Sequence, residues 1–167
     1  KLYLINTFMI EVTKTYLPDP SKYYQNIENS FKSNIVTNGG PNVCLLEERL
    51  AEYLNVKNLI LVANGTLGLL ISYKALKLNN EVITSPFSFN ATAGSIFWGG
   101  LSPVFADINK LSFNISTDEI EKKINNKTSG IVPVHAFGNA CNVEKIDRIA
   151  KKYNLKTVYD AAQAFGV

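Results

Sequence analysis

EVITSPFSFNATAGSIFWGGLSPVFADINKLSFNISTDEIEKKINNKTSGIVPV, residues 81–134, decides the fold. Three short runs in it, EVITS (81–85), PVFADI (103–108) and SGIVPV (129–134), are apolar at nearly every position. Between them lie helical patterns at roughly 90–98 and 117–124, the second opened by Ser116 and Glu119 at capping-box spacing. A strand apolar on both faces must be covered on both, as in a parallel sheet sandwiched between helices. Working outward, NLILVA (58–63) and KTVYDA (156–161) supply two more such runs, with helical patterns at 66–78 and 143–153. The sequence therefore predicts an α/β fold with a doubly wound, mostly parallel sheet.

Toward the N-terminus the pattern changes. Asp19 and Pro20 precede SKYYQNIENSF as an N-cap and a first-turn proline. NIVTNGGPNV (34–43) reads as a loop, because Gly39, Gly40 and Pro41 cannot continue a helix. From Cys44 to Leu54 the residues Leu46, Leu50, Tyr53 and Leu54 share one helical face, with Glu47, Glu48 and Glu52 directed outward. Residues 1–9 read as an extra N-terminal segment with Met9, the single methionine, as a candidate start, and the chain reads as stopping short after an apolar, turn-like segment at Val167.

Bulk properties narrow the function classes. The 167 residues are 46% hydrophobic and 19% charged, which is ordinary globular composition. Seventeen basic against fourteen acidic side chains leave +3, too small and dispersed an excess to select nucleic acid or an anionic membrane. No run approaches the ~20 apolar residues of a membrane helix. Cys44 and Cys141 lie far apart and match no metal-ligand spacing, so a reducing, cytoplasmic location is the default expectation.

Ligands of a doubly wound sheet bind beyond the carboxyl ends of its strands. The residues that follow the strands are Asn64-Gly65-Thr66, Pro86 to Phe89, Asp107, His135 with Gly138, and Asp160 with Gln163. Asn64-Gly65-Thr66 opens a helix after an apolar run; it reads either as a phosphate cradle of free N–H groups and a hydroxyl, or as a turn with a polar cap. Neither GxGxxG nor GxxxxGK[ST] is present, which lowers dinucleotide and P-loop readings. Phe89 is either a platform for a planar cofactor or a core side chain. Asp160, at a strand end, needs a cationic or hydrogen-bonding partner; a pyridinium nitrogen would serve, beside the small Ala161 and Ala162, and a helix N-cap is the other reading. His135, the single histidine, reads as a hydrogen-bonded structural residue rather than a base.

Taken in order, IEVTKTYLP, TNGGP, CLLEERLAEYL, LVANGTLGL, EVITSPFSFNATA, PVFADI, TSGIVPVHAFGNACNVEKIDRIAKKY and VYDAAQAFG resemble the sugar-nucleotide aminotransferases of the DegT/DnrJ/EryC1/StrS family, from about Ile10 to Val167. The resemblance implies the N-terminal part, residues 10–167, of the large domain of a fold-type-I enzyme dependent on pyridoxal 5′-phosphate (PLP), with remaining strands and a small C-terminal domain absent. It implies a homodimer of the full-length protein, a nucleotide-sugar substrate and an amino-acid donor. Carried over residue by residue, Gly65 and Thr66 match the cofactor-phosphate positions, Phe89 the ring-stacking aromatic, Asp160 the pyridinium partner and Gln163 the residue beside the phenolic oxygen. The family's Schiff-base lysine follows a serine-containing motif downstream of DAAQA, beyond Val167; Lys145, Lys151 and Lys152 read instead as a solvated helix face.

The resemblance leaves the reaction open between amination and, in members with histidine for that lysine, sugar dehydration. A non-catalytic truncated product and a generic nucleotide-binding domain are the other readings. The wording of IEVTKTYLP, LVANGTLGL and SPFSFNATA is nearest to members acting on dTDP-4-keto-6-deoxy-sugars in surface-polysaccharide synthesis, with glutamate as the usual donor.

Overall fold

A computed structural model describes residues 15–167, which fall into two compact units divided between Leu61 and Val62. The expected extra segment, residues 1–9, lies outside the described residues.

In the first unit, α1 (Pro20–Ser33) starts as expected: the Asp19 carboxylate accepts the Ser21 N–H at 2.9 Å, and proline occupies the first turn. It ends at Asn34, which adopts a left-handed conformation (φ 55°). α2 (Pro41–Tyr53) begins three residues before the expected Cys44, because a proline that cannot continue a helix is preorganised for its first turn. Asn42 ties the pair together, its amide donating to Asn26 O at 3.2 Å and Ser30 Oγ at 2.8 Å. One expectation fails here. NLILVA is not a strand; it runs without a ladder partner among the described residues, and within this unit Leu61 N–H is held by Glu47 Oε1 at 2.9 Å. An apolar run becomes a strand only where a neighbour supplies hydrogen bonds.

The second unit carries the sheet. β1 (Glu81–Thr84), β2 (Ser102–Phe105), β3 (Thr128–Val132) and β4 (Lys156–Thr157) are all parallel, in the order β2-β1-β3-β4. Four helices accompany them: α3 (Gly65–Ala75), α4 (Asn90–Trp98), α5 (Thr117–Lys123) and α6 (Val143–Tyr153). Successive residues of the central strand face opposite ways. Val82 packs with Leu69, Tyr73, Ile96 and Val132, whereas Ile83 packs with Ile120, Ile131, Ile146 and Ile149. Thus α3 and α4 cover one face, α5 and α6 the other, and the doubly wound reading holds. The Ser116 hydroxyl caps α5 through Glu119 N–H, and α5 and α6 are joined by the exposed pairs Lys145–Asp118 and Lys152–Glu121.

The β3–β4 ladder is shorter than its apolar runs. Pro133 has no N–H to donate, so pairing breaks there and resumes as a single parallel bridge, Val134 with Asp160. Asp160 N–H donates to Pro133 O at 2.9 Å, and His135 N–H donates to Asp160 O at 3.0 Å. This bridge fixes the backbone of Asp160 at the carboxyl edge of the sheet.

Candidate functional site

Three segments of the second unit meet at that edge. The first turn of α3 brings Gly65 and Thr66; the β1–α4 connection brings Ser88 and Phe89; the segment after the Val134–Asp160 bridge brings Asp160 and Gln163. Together they line a hollow of about 530 Å³, within the range of small-molecule sites. All five residues singled out from the sequence, Gly65, Thr66, Phe89, Asp160 and Gln163, border it. Asp107 and His135 do not. Asp107 turns back to accept Ile108 N–H at 2.7 Å. His135 stacks on Tyr159 (centroids 5.3 Å apart) and uses Nδ1 to accept Cys141 N–H at 3.0 Å, so it is the structural histidine the sequence suggested. Burial lowers its pKa, partly opposed by the charge of Asp160.

Phe89 is not a core side chain: it is 76% exposed and sits at the N-cap of α4, where it contributes no capping bond. Asp160 caps no regular helix. Its Oδ1 accepts Ala162 N–H at 3.2 Å in a local turn, while Oδ2 accepts the Thr92 hydroxyl at 2.6 Å. At α3, Asn64 performs the cap, Oδ1 accepting Leu67 N–H at 3.0 Å, and Gly68 N–H bonds Asn64 O. The N–H groups of Gly65 and Thr66 are thereby left without a partner among the described residues. A Cβ built on Gly65 would meet nothing within 4 Å, and its backbone is not left-handed, so neither packing nor torsion within the chain calls for glycine. The space in front of it opens onto the hollow.

Gln163 Oε1 accepts Phe137 N–H at 2.8 Å, which leaves the carboxamide nitrogen as the donor it can offer a ligand. One side of the hollow is aromatic: Phe87 stacks on Phe113 (5.6 Å) and meets Phe137 edge-on (5.9 Å). Phe113 and Phe137 both hold left-handed backbones, φ 60° and 54°, unusual for bulky residues. These loops are anchored by Asn114, 4% exposed, whose amide donates to Asn139 O and Ala140 O, both at 3.0 Å, and whose Oδ1 accepts Ala136 N–H at 3.0 Å. Sequence reasoning missed Asn114 and Thr92, and placed Ser88 only within the strand-end run Pro86 to Phe89. Thr92 lies within the quoted SPFSFNATA, but nothing local marks it as a partner of Asp160. Among the described residues no group of acidic, histidine and cysteine side chains suits a metal ion.

This arrangement could take a flat, phosphorylated, nitrogen-bearing ring: unpaired N–H groups beside an open glycine, an exposed aromatic and a carboxylate border one hollow. DesI, crystallised in the presence of its TDP-sugar product, is 34% identical, with a TM-score of 0.86 over 89% of this chain and 38% of that one. NtdA from Bacillus subtilis with bound cofactor PMP is 33% identical, with a TM-score of 0.84 over 88% of this chain and 34% of that one. The fold is that of the fold-type-I PLP-dependent aminotransferases, of which this chain covers part. Among curated proteins, a dTDP-4-amino-4,6-dideoxy-D-glucose transaminase of Escherichia coli is 44% identical over 98% of this chain and 44% of its own length. Its counterpart in Shigella dysenteriae is 44% identical over 95% of this chain and 43% of its own length. The chain thus spans less than half the length of these relatives. It belongs to the DegT/DnrJ/EryC1/StrS aminotransferase family, whose model matches residues 19–167.

Proposed function

We propose that this chain carries the cofactor-binding part of a PLP-dependent sugar-nucleotide aminotransferase. The convergence of Gly65, Thr66, Phe89, Asp160 and Gln163 on one hollow carries this reading. The N–H groups of Gly65 and Thr66, with the Thr66 hydroxyl, would hold the phosphate at the positive end of α3. Phe89 would lie against the ring, Asp160 would keep a proton on the ring nitrogen by favouring its charged form, and the Gln163 carboxamide would donate to the phenolic oxygen. When bound, PLP supplies the electron sink that amino-group transfer requires.

The proposed reaction of the whole protein moves an amino group from an amino-acid donor, glutamate, to a dTDP-4-keto-6-deoxy-sugar for surface-polysaccharide synthesis. The transaminase names of the 44%-identical relatives support amination over dehydration. The protein is proposed to act as a cytoplasmic homodimer; no described helix is long and apolar enough to cross a membrane. No lysine among the described residues borders the hollow. The chain as given is therefore proposed to bind the cofactor without turning it over.

Calorimetric titration with pyridoxamine 5′-phosphate (PMP), which needs no lysine, tests the reading. Saturable 1:1 binding, weakened by Thr66→Ala and by Asp160→Asn, is expected. Absence of binding, or binding indifferent to both substitutions, refutes it. Treatment with PLP and borohydride should label no lysine in a PMP-protected manner.

A further inference from the structure

Thr92 occupies the first turn of α4 and is completely buried. Its Oγ1 donates to Asp160 Oδ2 at 2.6 Å and lies 2.7 Å from Ser88 Oγ. An ionised carboxylate only accepts hydrogen bonds, and a hydroxyl has one proton to give. Since Thr92 gives its proton to Asp160, Ser88 must give its own to Thr92, so the chain of bonds runs one way, from Ser88 through Thr92 to Asp160.

This is not the usual arrangement of a buried helical threonine, which returns its hydroxyl to the carbonyl about one turn back. Thr92 instead reaches a residue 68 positions away. The bond also joins two parts of the hollow built on different elements. Phe89 stands at the N-cap of α4, and Thr92 N–H donates to Phe89 O at 3.1 Å, so the two move as one rigid turn. Asp160 is clamped through its backbone by Pro133 and His135. Its side-chain torsions are held at Oδ1 by the local Ala162 N–H at 3.2 Å and at Oδ2 by Thr92, the side-chain partner from another element.

We propose that Thr92 is a positioning residue for the cofactor: by fixing the carboxylate of Asp160 to the same turn that carries Phe89, it sets the carboxylate in register with the plane of the bound ring. Ser88 supports it by fixing the direction of the Thr92 hydroxyl. This rests on the PLP reading above.

The test uses the full 167-residue chain and two probes, PMP and its analogue with C–H in place of the ring nitrogen, both followed by calorimetry. Thr92→Val keeps the shape and removes the hydroxyl; it should weaken PMP about tenfold or more, the effect of losing a hydrogen bond to a charged group. Thr92→Ser should stay within about threefold of the unmodified chain. The analogue should bind T92V and the unmodified chain alike, and T92V added to D160N should weaken PMP no further than D160N alone. A purely structural threonine would lower both probes together and add to D160N, and that pattern overturns the proposal, as does T92V binding PMP normally. Should T92V lose its far-ultraviolet dichroism, Ser88→Ala carries the test from a half-buried position. It should cost about threefold for PMP alone, and unchanged or ligand-independent behaviour overturns the proposal. Failure of the unmodified chain to bind PMP is a different result: it refutes the cofactor reading itself.

Discussion

Cys141 should be chemically silent in the native chain, and its silence should report the integrity of the Asp160 edge. It is 5% exposed, its Sγ donates to Val134 O at 3.0 Å, and its N–H is held by His135. Burial raises its pKa from 9.0 to about 11. At pH 8 the reactive thiolate falls from roughly one part in ten to one in a thousand, a hundredfold loss before steric shielding is counted. Cys44 is exposed. With iodoacetamide at pH 8 and peptide mass spectrometry, Cys44 should react readily and Cys141 at least about a hundredfold more slowly than in urea. The same shift has a sign in stability. Between pH 9 and 11 the unfolded chain loses this proton while the native chain retains it, so stability falls as pH rises through that window. Cys141→Ala should flatten that part of the curve. Labelling of native Cys141 within about tenfold of the unfolded rate would refute the reasoning, because neither burial nor the thiol's bond to Val134 could then persist.

Other outcomes follow from the same contacts. Asn114→Ala removes three hydrogen bonds, one buried and two part-buried, should cost about 2–4 kcal/mol in urea titration, and should speed Cys141 labelling. Phe89→Ala, at an exposed position, should change stability by less than about 0.5 kcal/mol. The same substitution should weaken PMP about fivefold in calorimetry. Ile83→Ala, in the centre of the sheet with no exposure, should cost about 3 kcal/mol and lower the melting temperature by roughly 6–12 °C.

The sheet was legible because β1 and β3 are buried on both faces, which leaves their sequences apolar without alternation. The helix starts were legible at Asp19 and Ser116, where capping chemistry is local. NLILVA misled because composition records that a segment can pair, not that a partner is present. The shortened β3–β4 ladder could have been read from Pro133. The five hollow residues were found through strand-end position and family likeness. Thr92 and Asn114 were not, because their partners lie 68 and 22–26 residues away. A hydroxyl or an amide in sequence gives no indication of which distant group it will meet.

The left-handed backbones of Phe113 and Phe137 constrain how this site can drift. A residue with a Cβ loses about 1–2 kcal/mol in that conformation, a loss glycine escapes and asparagine reduces. Substitution to either would relax the loops while removing a ring that lines the hollow, at Phe137, or one that stacks on the lining Phe87, at Phe113. Valine or isoleucine would strain the loops further and fill the space poorly. Local comfort and the aromatic wall therefore pull in opposite directions at both positions, and a variant selected for thermal endurance alone should surrender the rings first.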